Sequence, residues 1–194
     1  MTERGRNASL ATLRAFGTAL RDGRARRRML RKRTLMIGLG IAALAATVAW
    51  PPRPLLVWNA SASAPEGLYR VGAATVLESG DMVIARLPDL ARRIAARRGY
   101  LPANVPLVKR VAAIGGDLIC ARGTTISVNG QPLVERRRFD GLGRPMPWWT
   151  GCVRLRGRSV FLIMTASPDS FDGRYFGPTR QEEIIGRARL IWAR

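Results

Sequence analysis

The feature that most constrains this chain is an apolar run at residues 34–50, which contains no charged side chain. As a helix it would be roughly 25 Å long at 1.5 Å per residue, near the short limit for crossing a bilayer core of about 30 Å. Trp50 suits a membrane interface, and the prolines at 51 and 52 would end the helix. The run therefore predicts one transmembrane helix.

The residues before this run are strongly basic. Residues 1–33 carry 11 basic and two acidic side chains, a net charge of +9. By the positive-inside rule they would lie in the cytoplasm and residues 51–194 outside it. Apolar residues at helical spacing also predict a short amphipathic helix within residues 1–20. The adjacent apolar run favours a bilayer over nucleic acid as the partner of these basic residues.

Two other interpretations of the apolar run remain open. A cleaved secretory signal peptide also has a charged start and an apolar centre, but a charged lead of this length is long for one, and Pro51 disfavours cleavage just after the run. A helix in the core of a soluble domain would have to be apolar on every side. The uncleaved anchor is the interpretation we use.

The rest of the chain alternates short β-like runs with turn residues. The Asn129-Gly130 pair is a strong hairpin signal, residues 88–98 predict a helix, and residues 136–151 predict an irregular loop. We therefore expect one mainly β domain of about 140 residues, which is large enough for its own core. The predicted strands cover residues 55–58, 68–71, 82–87, 107–114, 117–122, 124–128, 131–134, 159–164 and 185–192.

The composition restricts the available chemistry. The chain has no histidine, which excludes Ser-His-Asp and Cys-His sites, and only two of its 33 basic residues are lysines. Arginine stays protonated in proteins, whereas a buried lysine can become neutral. Any amine base must therefore be Lys32 or Lys109.

Lys109 lies in a largely apolar predicted strand, where burial would lower the pKa of its amine by disfavouring the charged form. Neutral lysine can take the proton of a serine hydroxyl, which is a known alternative to histidine. A surface lysine that protects a strand edge is the other interpretation. The use of arginine at every other basic position in this segment favours a base.

A candidate nucleophile lies in residues 59–69, Asn-Ala-Ser-Ala-Ser-Ala-Pro-Glu-Gly-Leu-Tyr. Ser61 and Ser63 are surrounded by small residues, which would let a substrate backbone approach a serine on a turn. Taken alone, the same composition also fits an ordinary linker. A third polar cluster holds Ser170, Asp172 and Arg174, either as a braced loop or as groups that orient the lysine.

The two cysteines, Cys120 and Cys152, are far apart in the sequence and lack histidine partners, so they make a poor metal site. Outside the cytoplasm a disulfide is the natural expectation, and inside it they would be two buried thiols. With the predicted topology, we expect the disulfide.

Four ordered motifs give the chain a family resemblance. The motifs are Ser63-Ala-Pro-Glu-Gly-Leu-Tyr, Val108-Lys-Arg-Val followed by Gly-Gly-Asp117, Ser170-Phe-Asp-Gly-Arg-Tyr-Phe-Gly177, and Ile185-Gly-Arg-Ala188. Together they resemble type I signal peptidases, and more narrowly the TraF-type signal peptidases of conjugative transfer. The resemblance covers about residues 55–192 and implies a signal-peptidase/LexA-like β fold.

The resemblance also implies roles for the site residues. Ser63 would be the nucleophile and Lys109 the general base. The Ser63 backbone N–H would form the oxyanion hole, with Ser61 as a second donor. Ser170 would hydrogen-bond the lysine, and Asp172 and Arg174 would brace the site.

The chain also departs from the general secretory signal peptidases. It has Ala64 where they usually have Met after the serine, and Asp-Gly173-Arg where they have Asp-Ser-Arg. Residues 165–169 replace a stretch that bears glycine and asparagine. These departures point to the transfer branch.

The expected protein is a Ser/Lys endopeptidase of the bacterial inner membrane, with a cytoplasmic segment 1–33, a helix 34–50 and a periplasmic domain 51–194. It would remove leader peptides from exported precursors, such as the pilin precursor of a conjugative system, without a cofactor or metal. The alternatives are a LexA-like self-cleaving protein and a non-catalytic membrane-anchored β module of a transfer apparatus. A Ser63 Oγ to Lys109 Nζ distance within or slightly beyond hydrogen-bond reach would favour the enzyme.

Overall fold

A long helix, α1, covers the N-terminal part of the chain from Glu3 to Ala49. The structure is a computed structural model that describes residues 3–49 and 54–194, with the backbone alone for residues 3–25. Within α1, the segment Arg26–Ala49 is long and apolar enough to cross a membrane. The predicted helix end at Trp50 and the prolines at 51 and 52 lie outside the described residues.

The helix differs from the expectation because it continues through the basic run. A short helix in residues 1–20, a charged segment and a separate apolar helix were predicted. Arginine, alanine and leucine are all good helix formers, and no proline occurs before residue 51. The basic run therefore provides no stop signal.

The second unit of the chain is mainly β, as predicted, and contains two antiparallel sheets. Each predicted strand has an observed counterpart, although 159–164 shrinks to two paired residues. The strands are β1 (Leu56–Asn59), β2 (Gly67–Gly72), β3 (Met82–Ala85), β4 (Leu107–Ala113), β5 (Leu118–Arg122), β6 (Thr125–Val128), β7 (Gln131–Glu135), β8 (Gly151–Arg154), β9 (Phe161–Leu162) and β10 (Ile184–Ala193).

The larger sheet has six strands in the order β1-β2-β10-β3-β4-β9. Helix α2, Asp89–Arg98, ends at Gly99 in the left-handed conformation, close to the predicted boundaries. Its buried alanines pack with apolar residues of β3, β4 and β9. This sheet positions the candidate site, because β1 leads into the serine segment and β4 carries Lys109.

The smaller sheet has four strands in the order β7-β6-β5-β8. Asn129 and Gly130 connect β6 to β7 with φ angles of 52° and 83°, which confirms the predicted hairpin. Cys120 and Cys152 lie directly opposite each other on β5 and β8 and form the predicted disulfide. The bridge joins two paired strands across a sequence separation of 32 residues.

Three short elements were missed. Strand β8 begins at the last residue of the predicted loop, helix α3 spans Gly173–Phe176, and a 3₁₀ turn spans Gln181–Glu183. Each element is four residues or shorter, so none contains enough residues to show a hydrophobic period. Contacts with the rest of the unit stabilise them instead.

Candidate active site

The serine segment forms a tight loop between β1 and β2. These strands are hydrogen-bonded neighbours, and Asn59 at the end of β1 pairs with Gly67 at the start of β2. The backbone N–H of Ala64 donates to the carbonyl of Ser61 over 3.3 Å, which closes a turn with Ser63 at its third position. The turn leaves the Ser63 side chain half-buried rather than sealed in the core.

Gly67 allows the loop to return into the sheet. Its φ is 150°, and a Cβ at this position would collide with the backbone carbonyl of Trp192 on β10. Only glycine fits such a close approach of two strands without displacing one of them. The Gly of the serine motif is therefore explained by packing in the sheet.

Lys109 lies in the middle of β4, opposite Val83 of β3, and its side chain is only 4% exposed. Its Nζ lies 2.5 Å from Ser63 Oγ and 2.9 Å from Ser170 Oγ. The first distance agrees with the prediction of hydrogen-bond reach. The fold therefore brings together three residues that are distant in the sequence. The outer two, Ser63 and Ser170, are 107 positions apart.

The surroundings of Lys109 lower the pKa of its amine from 10.5 to about 8. Burial is the main cause, because it disfavours the charged form. The carboxylate of Asp172 opposes this effect, and the positive charge of Arg174 adds to it. A pKa near 8 leaves about one tenth of the amine neutral at pH 7, which is a usable fraction for a base.

Asp172 and Arg174 form a buried bidentate ion pair, with exposures of 0% and 1%. Arg174 Nε lies 2.8 Å from Asp172 Oδ1, and Arg174 Nη2 lies 3.0 Å from Asp172 Oδ2. The carboxylate also accepts the backbone N–H of Met164 and that of Arg174, so it caps α3. This pair fixes the segment that begins with Ser170.

The remaining Arg174 donors point to backbone carbonyls. Nη2 donates to Met164 over 2.9 Å and Nη1 donates to Pro168 over 3.0 Å. A buried ion pair is stable only when its other hydrogen-bonding groups are satisfied as well. Arg174 therefore connects the loop after β9 to the start of α3.

The glycine between these two residues has a packing explanation. A Cβ on Gly173 would lie 2.7 Å from the Phe161 ring and 2.8 Å from the Leu162 carbonyl oxygen. Both contacts are shorter than side chains tolerate, so a serine here would require β9 to move. The departure from Asp-Ser-Arg is thus consistent with the close packing of α3 on β9.

Ser61 lies beside the candidate nucleophile. Its Oγ is 2.9 Å from Ser63 Oγ and accepts the Ser63 backbone N–H over 3.4 Å. These are the two donors expected for an oxyanion hole, and in this structure they contact each other. A substrate carbonyl oxygen could replace this contact if the exposed Ser61 side chain rotates.

Two buried polar residues near the site were not singled out from the sequence. Asn59, 7% exposed, hydrogen-bonds the serine loop, and Arg136, 2% exposed, donates to the carbonyls of Gly123, Trp149 and Arg174. An asparagine at a strand end before a Ser-rich turn is a usable signal, because its side chain often bonds the backbone nearby. Arg136 gave no such signal among so many arginines.

The tryptophans of the 136–151 loop pack against this part of the unit. The Arg136 guanidinium lies 3.5 Å from the ring centre of Trp148, and Trp149 Nε1 donates to the Gly173 carbonyl over 3.2 Å. The Trp149 ring braces the backbone of α3.

Comparison with known proteins assigns the chain to a family. Residues 27–193 match the family model described as signal peptidase, peptidase S26. The chain therefore belongs to the S26 signal peptidase family. This membership supports a signal-peptidase-like function, and together with the Arg26–Ala49 segment it indicates a membrane-anchored protein.

Particular relatives refine this assignment. The chain is 35% identical to the plasmid transfer protein TraF of Escherichia coli over 69% of this chain and 82% of that protein. It is 34% identical to a probable conjugal transfer protein TraF of Sinorhizobium fredii, over 84% and 92%. A solved signal peptidase I of Enterococcus faecalis is 17% identical, over 58% of this chain and 97% of that one, with a TM-score of 0.35. The sequence matches confirm the TraF-type resemblance.

Proposed function

We propose that the chain is a membrane-bound serine endopeptidase in which Ser63 is the nucleophile and Lys109 the general base. The observation that carries this proposal is the buried Lys109 amine, 2.5 Å from Ser63 Oγ and 2.9 Å from Ser170 Oγ. With no histidine in the chain, this amine is the base within reach of the serine. A non-catalytic β module does not require a buried lysine whose amine hydrogen-bonds two hydroxyls instead of a carboxylate.

Acylation begins when Ser63 Oγ attacks the scissile carbonyl carbon. The Ser63 proton moves to neutral Lys109 Nζ, and the negative charge that develops on the carbonyl oxygen is bound by the Ser63 N–H and the Ser61 hydroxyl. Lys109 then gives the proton to the departing amine as the peptide bond breaks. The products of this step are a free N-terminus and an ester on Ser63.

Deacylation uses Lys109 again as the general base. Neutral Lys109 takes a proton from a water molecule, whose oxygen attacks the ester carbon. The proton returns to Ser63 Oγ as the ester bond breaks and the carboxyl product leaves. Ser170 holds the amine in place for both steps through its hydroxyl, and the Asp172–Arg174 pair fixes the segment that carries Ser170.

The proposed membrane anchor also supports a location for each part of the chain. We place residues 1–33 in the cytoplasm, a transmembrane helix at 34–50 and the peptidase domain, residues 51–194, in the periplasm of a bacterium. The net charge of +9 before the apolar run supports this orientation. An anchored active site near the bilayer gains proximity to leader sequences that emerge from the membrane.

The proposed substrates are exported precursors with leader peptides. Two relatives are named for plasmid or conjugal transfer, which supports the pilin precursor of a conjugative system as the substrate. We expect the substrate to be extended next to the scissile bond and to carry small side chains there, because such a segment would fit against the half-buried Ser63.

The experiment that tests the proposal is processing of a membrane-inserted, leader-bearing precursor co-expressed with the chain and followed by immunoblot. Ser63→Ala and Lys109→Arg should each abolish processing, because arginine cannot act as a neutral base. Lys32→Arg is the matched control, since it changes the one other lysine and should process like the wild type. Processing that survives in either site variant would overturn the assignment.

A further inference from the structure

We infer that Asn59 is a positioning residue for the nucleophile, because its side-chain amide shapes the loop that holds Ser63 against Lys109. The inference rests on the proposed function and adds to it a residue that none of the four motifs contains. Asn59 is the last residue of β1, and its side chain hydrogen-bonds neither Lys109 nor Ser63 Oγ. It acts through the backbone of the loop.

A single side chain makes four hydrogen bonds to the loop backbone. Asn59 Nδ2 donates to the carbonyl oxygens of Ser61, Ala64 and Pro65 over 3.0, 3.1 and 3.1 Å. Its Oδ1 accepts the backbone N–H of Ser61 over 3.2 Å. These contacts begin two residues before Ser63 and end two residues after it, so both arms of the turn are attached to one amide.

The chemistry of these contacts requires an asparagine. Three carbonyl oxygens converge on the NH₂ group, which has two hydrogens, so one hydrogen is shared. Aspartate has the same shape but would direct an oxygen at three other oxygens, and an apolar side chain would leave buried carbonyls unpaired. Serine has a hydroxyl donor but is too short to replace the set.

The amide also fixes the turn that presents Ser63. The Ser61 carbonyl, which accepts from Asn59, is the same group that accepts the Ala64 N–H and closes the turn. Pro65 is held a second time by the Tyr69 hydroxyl over 2.8 Å. Lys109, by contrast, is fixed separately by its place on β4. The distance from Ser63 Oγ to Lys109 Nζ therefore depends on how well Asn59 holds the loop.

Loss of this amide should reduce the rate of reaction without changing the base. A displacement of about 1 Å in a reacting group can lower a rate by about 100-fold. The Lys109 pKa is set by burial of the amine on β4 and by the charges of Asp172 and Arg174. Asn59 and a serine in its place are both uncharged, so the pH at which the amine becomes neutral should stay the same. If the reaction rate falls while the midpoint of its pH dependence stays constant, the nucleophile is poorly positioned and the base is unchanged.

The test uses the purified full-length chain in detergent and p-nitrophenyl acetate as the acylating probe. The burst of nitrophenolate gives the acylation rate from pH 6 to 10, and mass spectrometry locates the acetyl group on Ser63. We expect Asn59→Ser and Asn59→Asp to lower the plateau rate by about 100-fold. The Asn59→Ser midpoint should stay near 8, as in the wild type.

Asn129→Ser is the matched control. Asn129 also holds a turn with its side chain, through Asp117 and the N–H of Leu118, but in the smaller sheet. It should keep the wild-type rate and midpoint.

Three results would overturn the inference in distinguishable ways. Equal rates in Asn59→Ser and wild type would overturn it while the proposed function stands. Loss of the native circular dichroism spectrum in both Asn59 variants would make the residue structural for the whole unit and not a positioning residue. Absence of Ser63 acetylation in the wild type, or an unchanged burst in Ser63→Ala, would overturn the proposed function and this inference with it.

Discussion

The two sheets of the β unit are stabilised in different ways. The smaller sheet relies on an apolar cluster, a hairpin with suitable turn residues and a disulfide. The larger sheet and the loop beside it bury polar and charged side chains at the candidate site, namely Asn59, Lys109, Ser170, Asp172 and Arg174. Local and covalent features maintain one sheet, whereas the other contains groups whose burial is unfavourable unless each finds a partner.

The two buried basic side chains at the candidate site, Arg174 and Lys109, differ in their hydrogen-bond partners. Arg174 has a bidentate carboxylate partner and carbonyl acceptors, so its charge is compensated. Lys109 Nζ hydrogen-bonds the hydroxyls of Ser63 and Ser170 and has no bonded carboxylate to offset its burial, which is the main cause of its lowered pKa. A lysine in such surroundings destabilises the fold when it is protonated, which is expected of a residue retained for chemistry.

The largest expected effect on stability comes from breaking the compensated pair. Arg174→Lys removes the bidentate geometry and at least one carbonyl contact, and it should lower the free energy of unfolding by about 3–5 kcal/mol and abolish processing. Urea denaturation followed by tryptophan fluorescence measures the loss. Arg92→Lys is the control, because its pair with Asp89 is exposed and should contribute less than about 1 kcal/mol.

A loss below about 1 kcal/mol in Arg174→Lys, equal to that of the control, would contradict this account of the ion pair. The buried polar groups beside the larger sheet would then contribute less to stability than the structure indicates.

The second effect concerns the smaller sheet. Replacing both Cys120 and Cys152 by serine removes a bridge with a sequence separation of 32 residues, and chain entropy predicts a loss of about 3–4 kcal/mol. Since the bridge lies in the other sheet, the folded variant should still process the precursor at nearly the wild-type rate. Processing per folded molecule, with the folded fraction taken from circular dichroism, checks this. Loss of processing in a folded variant would show that the two sheets are coupled.

A smaller effect of opposite sign is expected at Lys109. The unfolded amine titrates near 10.5 and the folded amine near 8, so between these values the unfolded chain binds more protons and stability rises with pH. Below pH 8 the full penalty is present, up to about 3 kcal/mol. Lys109→Met should therefore raise the free energy of unfolding at pH 6, and the gain should disappear above pH 10.5. A lower free energy of unfolding for Lys109→Met than for the wild type at pH 6 would contradict this expectation.

The sequence was informative where residue identity restricts chemistry. The absence of histidine and the scarcity of lysine led to Lys109, and the spacing of apolar and turn residues located the strands and the 129–130 hairpin. The motifs located Ser63 and the cluster around Asp172. Each of these inferences depends on residues that are adjacent in the sequence or on a residue type that is rare in this chain.

The remaining features depend on contacts between distant segments. Arg136 lies in an arginine-rich loop, and nothing in its neighbourhood distinguishes it from exposed arginines until Gly123, Trp149 and Arg174 surround it. Strand β8 is too short for a periodic pattern and is defined by its partner β5. The continuity of α1 through the basic run follows from the helix propensity of arginine, alanine and leucine, which the charge pattern alone does not reveal.

Lys109 is expected to be a buried amine that loses its proton near pH 8. The chain has only two lysines, so ¹³C labelling of lysine gives two Cε signals, and Lys32→Arg assigns them. The Lys109 signal should titrate with a midpoint of about 8 in the full-length chain. A midpoint near 10.5, the ordinary value for lysine, would contradict the account.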